Sequence, residues 1–520
     1  MIDDLKEECA VAAIQLKKPI EKYPLGGASY YLYQMLLQMQ NRGQLSSGIT
    51  TYDANRLQLI DTRRKIGSVN DLFAANFKPK MEAILSRYAG TAGIGHNRYA
   101  TFGGDDEGSA QPFERHHGRK WKWVAFAFNG NLANFSELKK ELDEKQYHLV
   151  RNLDTEVLQH FLEKAQIGGK RISLFEIFKN LTEKLDGGYC IVYIDADGNL
   201  AVVRDPMGIR PLCYVEDENL IAVASESIAL SAISDGEIKF IKPGEMLLAS
   251  KKGMKIRRYT NSEKKAHCMF EWVYFANATS TIDGVSVYQT RRDLGVELAH
   301  EEILDVNSND FVVVPVPDTS KAIADSYSYA LGIPQVEGLV KNRYIGRTFI
   351  MSGDRSEKIR QKFIINPGVI KGKKVILIDD SIVRGTTIGV LIKYLREKGD
   401  VKEIHLRIAC PPIRSPCFYG IDMSTIGELI VNKYSNNEQR KKSGFADVDK
   451  EIIDKICKAI NADSLHYMSL EGLVRAIGKS KDELCMACIT GDYPTKWGND
   501  LRVKALENYE RGLEVKRTYE

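Results

Sequence analysis

The chain has 520 residues, of which 43% are hydrophobic and 27% are charged, and its formal net charge is +4. A charge this close to neutral for the length argues against a nucleic-acid partner, and the size predicts two or more domains. There is no apolar run long enough to span a bilayer, and the acidic start M-I-D-D-L-K-E-E is unlike a signal peptide, so we expect a cytoplasmic protein without membrane contact.

The sequence of the first half predicts strands with helices between them. An apolar strand, Cys9–Leu16, begins with a cysteine, and an apolar-rich helix is predicted at Tyr30–Gln40. Two further strands are predicted at Ala92–Ala100 and at Val124–Phe128, the second running into the turn-like N-G-N-L. Residues Tyr189–Val203 form a predicted hairpin that turns at D-A-D-G. Sequential hairpins with intervening helices are typical of an α+β sandwich.

Six short motifs, each a weak signal alone, lie along this half. They are E-E-C at Glu7–Cys9, R-G-Q at Arg42–Gln44, G-H-N-R-Y-A-T at Gly95–Thr101, F-N-G-N-L at Phe128–Leu132, D-T-E at Asp154–Glu156 and R-D-P-M-G-I-R-P-L at Arg204–Leu212. Together they make this half resemble a class II glutamine amidotransferase domain. The resemblance implies the αββα sandwich of the N-terminal-nucleophile hydrolases.

The same resemblance implies a role for each motif residue in glutamine hydrolysis. Cys9 would attack the amide of glutamine, Arg98 would hold the substrate carboxylate, and Asp154 would hold its α-amino group. Asn129 and the backbone N–H of Gly130 would form the oxyanion hole. All five residue types stand at the family positions.

In this family the cysteine is the first residue of the mature chain, so the resemblance implies a propeptide, Met1–Glu8, before a glutaminase domain at 9–262. A terminal position has a chemical reason. An amide nitrogen cannot accept a proton, whereas a free α-amine with a pKa near ~8 can act as the base for its own thiol. The chain departs from the usual family sequence at Ala10, at Ala12–Ala13 and at Leu45.

The second half begins after a polar run at Thr260–Lys265 and alternates strands with helices. A strand at Phe311–Pro317 leads through P-D-T-S into a helix at 321–331. The stretch Val375–Thr387, V-I-L-I-D-D-S-I-V-R-G-T-T, joins a buried strand to a helix at Ile388–Lys398 in the same way. This alternation predicts a parallel, doubly wound sheet with its site at the carboxyl ends of the strands.

Each strand–loop–helix turn directs backbone N–H groups and a helix N-terminus at an anion. In the second turn the adjacent Asp379 and Asp380 suit ribose hydroxyls or a hydrated Mg²⁺. The turn resembles the phosphoribosyl-pyrophosphate (PRPP) binding loop of type I phosphoribosyltransferases, and the Walker pattern G-x-x-x-x-G-K-[ST] is missing from the sequence. The PRPP-binding residues expected here are Asp379, Asp380, Ser381, Arg384, Gly385, Thr386 and Thr387.

Two more groups are expected around PRPP. Thr319, in P-D-T-S, would join the paired aspartates in binding one Mg²⁺ per subunit. The segment Lys341–Ile350 combines cations, aromatic residues and a glycine, and predicts either a mobile lid that closes over PRPP or a solvated basic loop. Lys341 and Arg343 are the expected PRPP contacts in this segment.

Taken together, residues 7–500 resemble the glutamine PRPP amidotransferases, with a phosphoribosyltransferase domain at 263–500 and a helical tail at 501–520. The resemblance implies synthesis of 5-phosphoribosylamine, pyrophosphate and glutamate from PRPP, glutamine and water, the first committed step of purine synthesis. It also implies purine nucleotides as inhibitors and a homo-oligomer, a dimer or a tetramer. The alternatives are an inactive PRPP- or nucleotide-binding regulatory protein and another class II amidotransferase.

Nine cysteines occur in a chain without a secretion signal, which favours metal binding or catalysis over disulfides. Cys485-x-x-Cys488 alone is a weak signal. With Cys268 and Cys417 it gives four thiols at the positions where the iron–sulfur subgroup of the family binds one [4Fe–4S] cluster per subunit. Spacing alone does not distinguish a cluster from zinc, and Cys410 is a rival fourth ligand. The other thiols are expected in the core, at Cys190, Cys213 and Cys457.

Overall fold

The structure is a computed structural model. It describes residues 9–99, 107–261, 263–342, 355–423, 425–444 and 446–513, and at 107, 355, 356 and 358 only the backbone. The predicted propeptide, Met1–Glu8, lies outside the described residues, as do Arg343 and the end of the predicted tail at 514–520.

The first half is built from two stacked antiparallel sheets and the helices that cover them. Its strands are β1 (Ala10–Leu16), β2 (Ser46–Tyr52), β3 (Ile60–Ile66), β4 (Ala92–Arg98), β5 (Phe113–Arg115), β6 (Val124–Leu132), β7 (Gly187–Asp195), β8 (Leu200–Arg204), β9 (Cys213–Glu216), β10 (Leu220–Ala224), β11 (Lys239–Phe240), β12 (Glu245–Ser250) and β13 (Gly253–Arg258). Its helices are α1 (Ala28–Gln38), α2 (Val69–Phe73), α3 (Lys78–Arg87), α4 (Phe135–Glu144), α5 (Asp154–Ala165), α6 (Leu174–Thr182) and α7 (Ser227–Ser231). Among the described strands, one sheet has the order β11-β9-β10-β1-β4-β2-β3 and the other β13-β12-β8-β7-β6-β5.

Strand β1 shows why this half folds as a sandwich. Ala10, Ala12 and Ile14 face the layer of α1, whereas Val11 and Ala13 face the second sheet. Successive side chains of a strand point to opposite faces, so a strand that is apolar throughout needs a cover on both sides. The predicted αββα sandwich is therefore confirmed.

The strand that carries the predicted oxyanion residues has a different end from the one predicted from the sequence. Strand β6 does not end at Phe128 but runs to Leu132, because Asn129 and Gly130 continue the pairing with Cys190 and Tyr189 of β7. The N-G-N-L motif is therefore part of a strand rather than a turn. Helix α5 begins at Asp154 itself, with Leu153 at the N-cap position.

The second half contains a parallel sheet flanked by helices. Its strands are β14 (His267–Cys268), β15 (Thr281–Ile282), β16 (Val285–Ser286), β17 (Phe311–Pro315), β18 (Leu339–Lys341), β19 (Phe363–Ile365), β20 (Lys374–Asp379), β21 (Glu403–Ile408), β22 (Ser464–Tyr467) and β23 (Leu484–Cys485). Its helices are α8 (Val287–His300), α9 (Lys321–Leu331), α10 (Arg355–Lys362), α11 (Pro367–Ile370), α12 (Thr386–Gly399), α13 (Ile430–Tyr434), α14 (Asn437–Lys441), α15 (Lys450–Ala459), α16 (Leu470–Ile477), α17 (Ala487–Thr490) and α18 (Lys496–Glu510). Short 3₁₀ turns lie at Ile20–Lys22, Glu107–Ser109, Lys120–Lys122, Ile426–Glu428 and Lys481–Glu483, and a π-helical turn lies at Glu271–Phe275.

The strand order explains where a ligand binds in this half. Strands β17, β20, β21 and β22 pair in parallel in that order, and Gln335 pairs in parallel with Val313 on the other edge of β17. The chain thus runs outward in both directions from the neighbours β17 and β20. That pair is the topological switch point, where doubly wound sheets bind ligands beyond the carboxyl ends of the strands. The two predicted anion-binding turns follow these two strands.

In the described part of the chain, none of the helices combines the length and the apolar composition needed to cross a membrane.

Candidate active sites

The predicted glutamine site forms where the start of β1 lies beside the end of β4. Cys9 directly precedes β1 and Arg98 ends β4, and the pairing of Ala10 with Asn97 makes them neighbours. The Sγ of Cys9 donates to the carbonyl oxygen of Tyr99 at 3.5 Å. Arg98 is only 4% exposed, so its guanidinium is buried rather than at the surface. A buried cation beside a thiol suits an anionic substrate.

The predicted oxyanion hole lies on β6, in the other sheet. The Oγ of Ser225 accepts from the backbone N–H of Val11 at 3.0 Å and from Asn129 Nδ2 at 3.5 Å, so it joins this strand to β1. Gly130 has φ +142°, and a Cβ at this position would lie 2.0 Å from the carbonyl oxygen of Gly188. Only glycine tolerates both the positive φ and this close approach, so residue 130 has no side chain beside its backbone N–H.

The electrostatics of Cys9 show that the thiol needs a base. Burial raises its pKa to about 11, while the nearby charges of Arg98 and Arg210 lower it and that of Asp154 raises it. At neutral pH a thiol with this pKa is thiolate in about one molecule in ten thousand. The structure thus brings Arg98 and Asp154 within electrostatic reach of Cys9, as predicted. It adds Arg210, which lies in the R-D-P-M-G-I-R-P-L motif but for which the sequence predicts no role.

The second half of the chain contacts the oxyanion strand directly. Asn131 Nδ2 donates to the carbonyl oxygen of Phe418 at 3.0 Å, and Arg210 Nη2 donates to that of Tyr419. A Cβ on Gly420 would lie 3.2 Å from the carbonyl carbon of Gly130. The glutamine site is therefore bounded by both halves.

On the other side, the two predicted anion-binding turns meet at the switch point. Thr319 Oγ1 donates to Asp380 Oδ2 at 2.5 Å, and Ser320 Oγ donates to Asp379 Oδ1 at 3.3 Å. Ser381 Oγ donates to the second oxygen of Asp380 at 2.7 Å. The three residues predicted to bind Mg²⁺ thus lie together, and their carboxylates are buried. Oxygen ligands of this kind are the ones that Mg²⁺ prefers.

The predicted phosphate-binding turn has the geometry of a helix N-terminus. Thr386 and Thr387 open α12, and Gly385 at the N-cap has φ +74°. A Cβ on Gly385 would lie 2.1 Å from Cδ1 of Ile430, so the turn packs closely on α13. Arg384 is paired with Glu428 at 3.3 Å beside it. The first turn of α12 can therefore receive a phosphate.

A cavity of about 320 Å³ adjoins the predicted PRPP site. It includes Asp318, Thr319 and Lys341 of the PRPP side, and Lys341 Nζ is paired with Asp318 Oδ2 at 2.7 Å. Its opposite wall is the segment 274–278, together with Asn41 from the first half. The cavity has the size of a small-molecule site and is lined by residues of both halves.

Two lining residues, Asn41 and Arg291, were not predicted from the sequence. Arg291 on α8 is 3% exposed and donates to the carbonyl oxygens of Trp272, Tyr274 and Ala276 at 2.9 to 3.0 Å. Burial lowers its pKa to about 10, which leaves it cationic at neutral pH. In the sequence, an arginine on the apolar face of a predicted helix is the signal that identifies a buried arginine of this kind.

The four predicted ligand cysteines lie in one region of the second half. Cys268 and Cys485 are paired across the parallel strands β14 and β23, and the carbonyl oxygen of Cys488 accepts from the backbone N–H groups of residues 414 and 415, just before Cys417. Burial raises the pKa of Cys488 well above its usual range, and the thiols of Cys410, Cys268, Cys417 and Cys485 raise it further. Cys410 is thus close to the group as well, and burial and the charge of Asp380 raise its pKa.

Within the described ranges, there is no group of three or more His, Cys, Asp or Glu side chains converging as a single metal ion requires. The four thiols are buried and lie near one another, but their sulfur atoms do not converge on one position. A cuboidal cluster binds each thiolate through a different iron, so its ligands are more widely spread than those of tetrahedral zinc. Four thiols are a donor set that either a cluster or a zinc ion could take.

Two family profiles match the chain, one in each half. A family profile described as "Glutamine amidotransferase domain" matches residues 96–232, and one described as "Phosphoribosyl transferase domain" matches residues 289–414. Fold and sites therefore define a glutamine amidotransferase joined to a phosphoribosyltransferase in one chain.

Similarity to characterised proteins extends over nearly the whole chain. The amidophosphoribosyltransferase of Methanothermobacter thermautotrophicus is 39% identical over 504 residues, 96% of this chain and 97% of the relative. That of Bacillus subtilis is 35% identical over 504 residues, 95% of this chain and 96% of the relative. The solved structure of the glutamine PRPP amidotransferase from B. subtilis, complexed with ADP and GMP, matches with a TM-score of 0.79 and 33% identity, over 94% of this chain and 98% of that chain. The chain belongs to the amidophosphoribosyltransferase family, the glutamine-dependent PRPP enzymes of purine synthesis.

Proposed function

We propose that Cys9 and the Asp379–Asp380 turn divide the reaction between them, so that ammonia freed at Cys9 displaces pyrophosphate from PRPP. The observation that carries this proposal is the cavity of about 320 Å³, which adjoins Thr319 and is lined by Asn41 of the first half and by residues of the second. Ammonia in water is mostly protonated and then not nucleophilic, so an enclosed passage keeps it reactive.

In the glutamine half, Arg98 holds the substrate carboxylate and Asp154 its α-amino group. The Sγ of Cys9 forms a bond to the amide carbon, and the oxygen that becomes negative is stabilised by Asn129 Nδ2 and by the N–H of Gly130. Ammonia leaves with the proton taken from the thiol, and water then hydrolyses the thioester to glutamate. The base is the α-amine of Cys9, which exists once Met1–Glu8 is removed.

In the PRPP half, the first turn of α12 holds the 5-phosphate, and Asp379 and Asp380 hold the ribose hydroxyls. Thr319, Lys341 and Arg343 bind the pyrophosphate, and Arg343 lies outside the described residues. One Mg²⁺ held by Thr319 and the two aspartates would neutralise charge on the leaving group. The nitrogen of ammonia forms a bond to C1 as the bond from C1 to pyrophosphate breaks.

The remaining assignments also belong to this proposal. Cys268, Cys417, Cys485 and Cys488 would hold one [4Fe–4S] cluster per subunit as a structural group. Purine nucleotides are the proposed inhibitors, a role supported by the ADP and GMP with which the B. subtilis enzyme is complexed in its solved structure. We propose a cytoplasmic homo-oligomer with a glutaminase domain at 9–262, a phosphoribosyltransferase domain at 263–500 and a tail at 501–520. Helix α18, Lys496–Glu510, overlaps the start of that tail.

The test is pyrophosphate release by protein purified without oxygen. We expect release from PRPP and Mg²⁺ with glutamine and also with ammonium salts, and a loss of both activities when EDTA removes the magnesium. Release with neither nitrogen source would favour the inactive nucleotide-binding protein. Release with ammonium alone would mean that the glutaminase is inactive.

The mature protein should begin at Cys9. Before cleavage the nitrogen of Cys9 is an amide, and a thiol with a pKa of about 11 then has no base. Intact-mass measurement or N-terminal sequencing of active protein checks this. Full activity in protein that still carries Met1–Glu8 would contradict the terminal-amine mechanism.

The anaerobically purified protein should be brown, with broad visible absorption and about four irons per chain. Cys417→Ser should weaken retention of iron more than Cys410→Ser, because Cys417 is one of the four proposed ligands and Cys410 is not. Iron content and visible absorption of the two variants are compared. Colourless, zinc-loaded wild-type protein would contradict the cluster, and the reverse order of the variants would make Cys410 the fourth ligand.

A further inference from the structure

One buried carboxylate joins the two halves of the chain. Glu226, between β10 and α7, is 1% exposed. Its Oε1 accepts from Arg42 Nε at 2.5 Å and from Asn41 Nδ2 at 2.9 Å, both in the first half. Its Oε2 accepts from the backbone N–H of Asn277 at 2.8 Å and from Ser280 Oγ at 2.7 Å, both in the second half.

In the first half, the loop that binds this carboxylate packs against the predicted glutamine site. Arg42 is followed by Gly43, where a Cβ would lie 2.6 Å from the carbonyl carbon of Arg98. The N–H of Leu45 donates to the carbonyl oxygen of Arg98 at 3.1 Å. The loop that Glu226 holds through Arg42 is thus packed against the end of β4, where Arg98 and the carbonyl partner of Cys9 lie.

In the second half, the segment that binds this carboxylate lines the PRPP cavity. Asn277 lines that cavity, and Asn41 also donates to the carbonyl oxygen of Phe275 at 3.1 Å. Arg42 makes a second ion pair, from Nη2 to Glu271 Oε2 at 2.6 Å, three residues before this segment. Since Arg291 holds the carbonyl groups of this segment from α8, the segment 274–280 is held between Arg291 and Glu226.

We propose that Glu226 is a positioning residue that keeps the segment 274–280 as a wall shared by the glutamine and PRPP pockets, so that ammonia passes to PRPP instead of to water. The proposal rests on the proposed division of the reaction between Cys9 and the PRPP turn. A charged acceptor with four donors is a strong constraint, and a neutral amide in its place satisfies fewer of them. Loss of the constraint loosens the wall without touching any reacting group.

The test is the ratio of glutamate to pyrophosphate released from glutamine and PRPP by Glu226→Gln. We expect a ratio near one for the wild type and about fivefold or more glutamate per pyrophosphate for the variant, since couplings between sites commonly lie in the range of 5- to 150-fold. Ammonium-dependent release of pyrophosphate at saturating PRPP should stay near the wild-type rate. A ratio near one in folded Glu226→Gln overturns the proposal.

Two further variants separate positioning from stability. Glu302→Gln is the matched control, because Glu302 forms an equally buried pair with Arg407, at 2.6 Å, within the second half. Its ratio should stay near one, and an equal rise in Glu302→Gln would mean general destabilisation and overturn the proposal.

Ser280→Ala removes one donor to Glu226 with little change in shape and should raise the ratio by a smaller amount. If Glu226→Gln does not fold, an unchanged ratio in Ser280→Ala overturns the proposal. Wild-type protein that releases no pyrophosphate with either nitrogen source contradicts the proposed function. A normal wild-type rate with an unchanged ratio in the variants contradicts only the role of Glu226.

Discussion

Replacing Cys9 by alanine should lower glutamine-dependent release of pyrophosphate by about 10³-fold or more, the effect expected when a covalent nucleophile is lost. Ammonium-dependent release should remain near the wild-type rate, because ammonia supplied from outside needs no thioester. Both rates are measured on the same preparation, with circular dichroism to verify the fold.

A matched control is Cys213→Ala, which removes a buried thiol of the first half. It should keep both activities, because Cys213 lies in the core at the start of β9 and not at the site. Equal loss of both activities in folded Cys9→Ala would contradict the division of the reaction between the two halves.

Asp380→Asn should lower PRPP turnover by about 10²-fold or more with either nitrogen source, because both routes share the site and a misplaced or uncharged group there costs rates of this order. The Asp380 carboxylate lies between the hydroxyl groups of Thr319 and Ser381, so its loss removes the centre of the site. Asp379→Asn should act in the same direction. Glutamine hydrolysis measured without PRPP should persist in both.

Asp400→Asn is the control for these variants. Asp400 follows α12 and its side chain is 76% exposed, in an ion pair with Lys371. An exposed pair of this kind contributes little, so turnover should not change. Normal PRPP turnover in both Asp379→Asn and Asp380→Asn would mean that the turn after β20 is only a structural crossover.

The sequence predicted the elements whose signals are local. Helix α9 has the predicted bounds, Lys321–Leu331, and α12 extends the predicted helix by one or two residues at each end. The PRPP turn was recognisable because a strand, paired carboxylates and a helix start follow one another without interruption. The thirteen residues of Val375–Thr387 contain most of that site.

The parts that escaped prediction depend on contacts between distant residues. Strand β6 extends through Asn129 and Gly130 because β7 pairs with it, and a turn-like N-G cannot reveal its partner. Glu226 and Arg291 act through carbonyl and amide groups of a segment that is remote from Glu226 in sequence, and no spacing rule connects them. The arrangement of the cysteines likewise depends on the tertiary fold, so spacing alone left the ligand set open.

The most direct test of the division of labour is the source of the nitrogen. Glutamine labelled with ¹⁵N at the amide is supplied with PRPP and Mg²⁺, together with unlabelled ammonium at a level that alone supports only slow turnover. The amine product is trapped, and its mass is measured by mass spectrometry. Enclosed transfer from Cys9 to the PRPP turn predicts a product that carries ¹⁵N. A product with the isotope composition of the surrounding ammonium would contradict it.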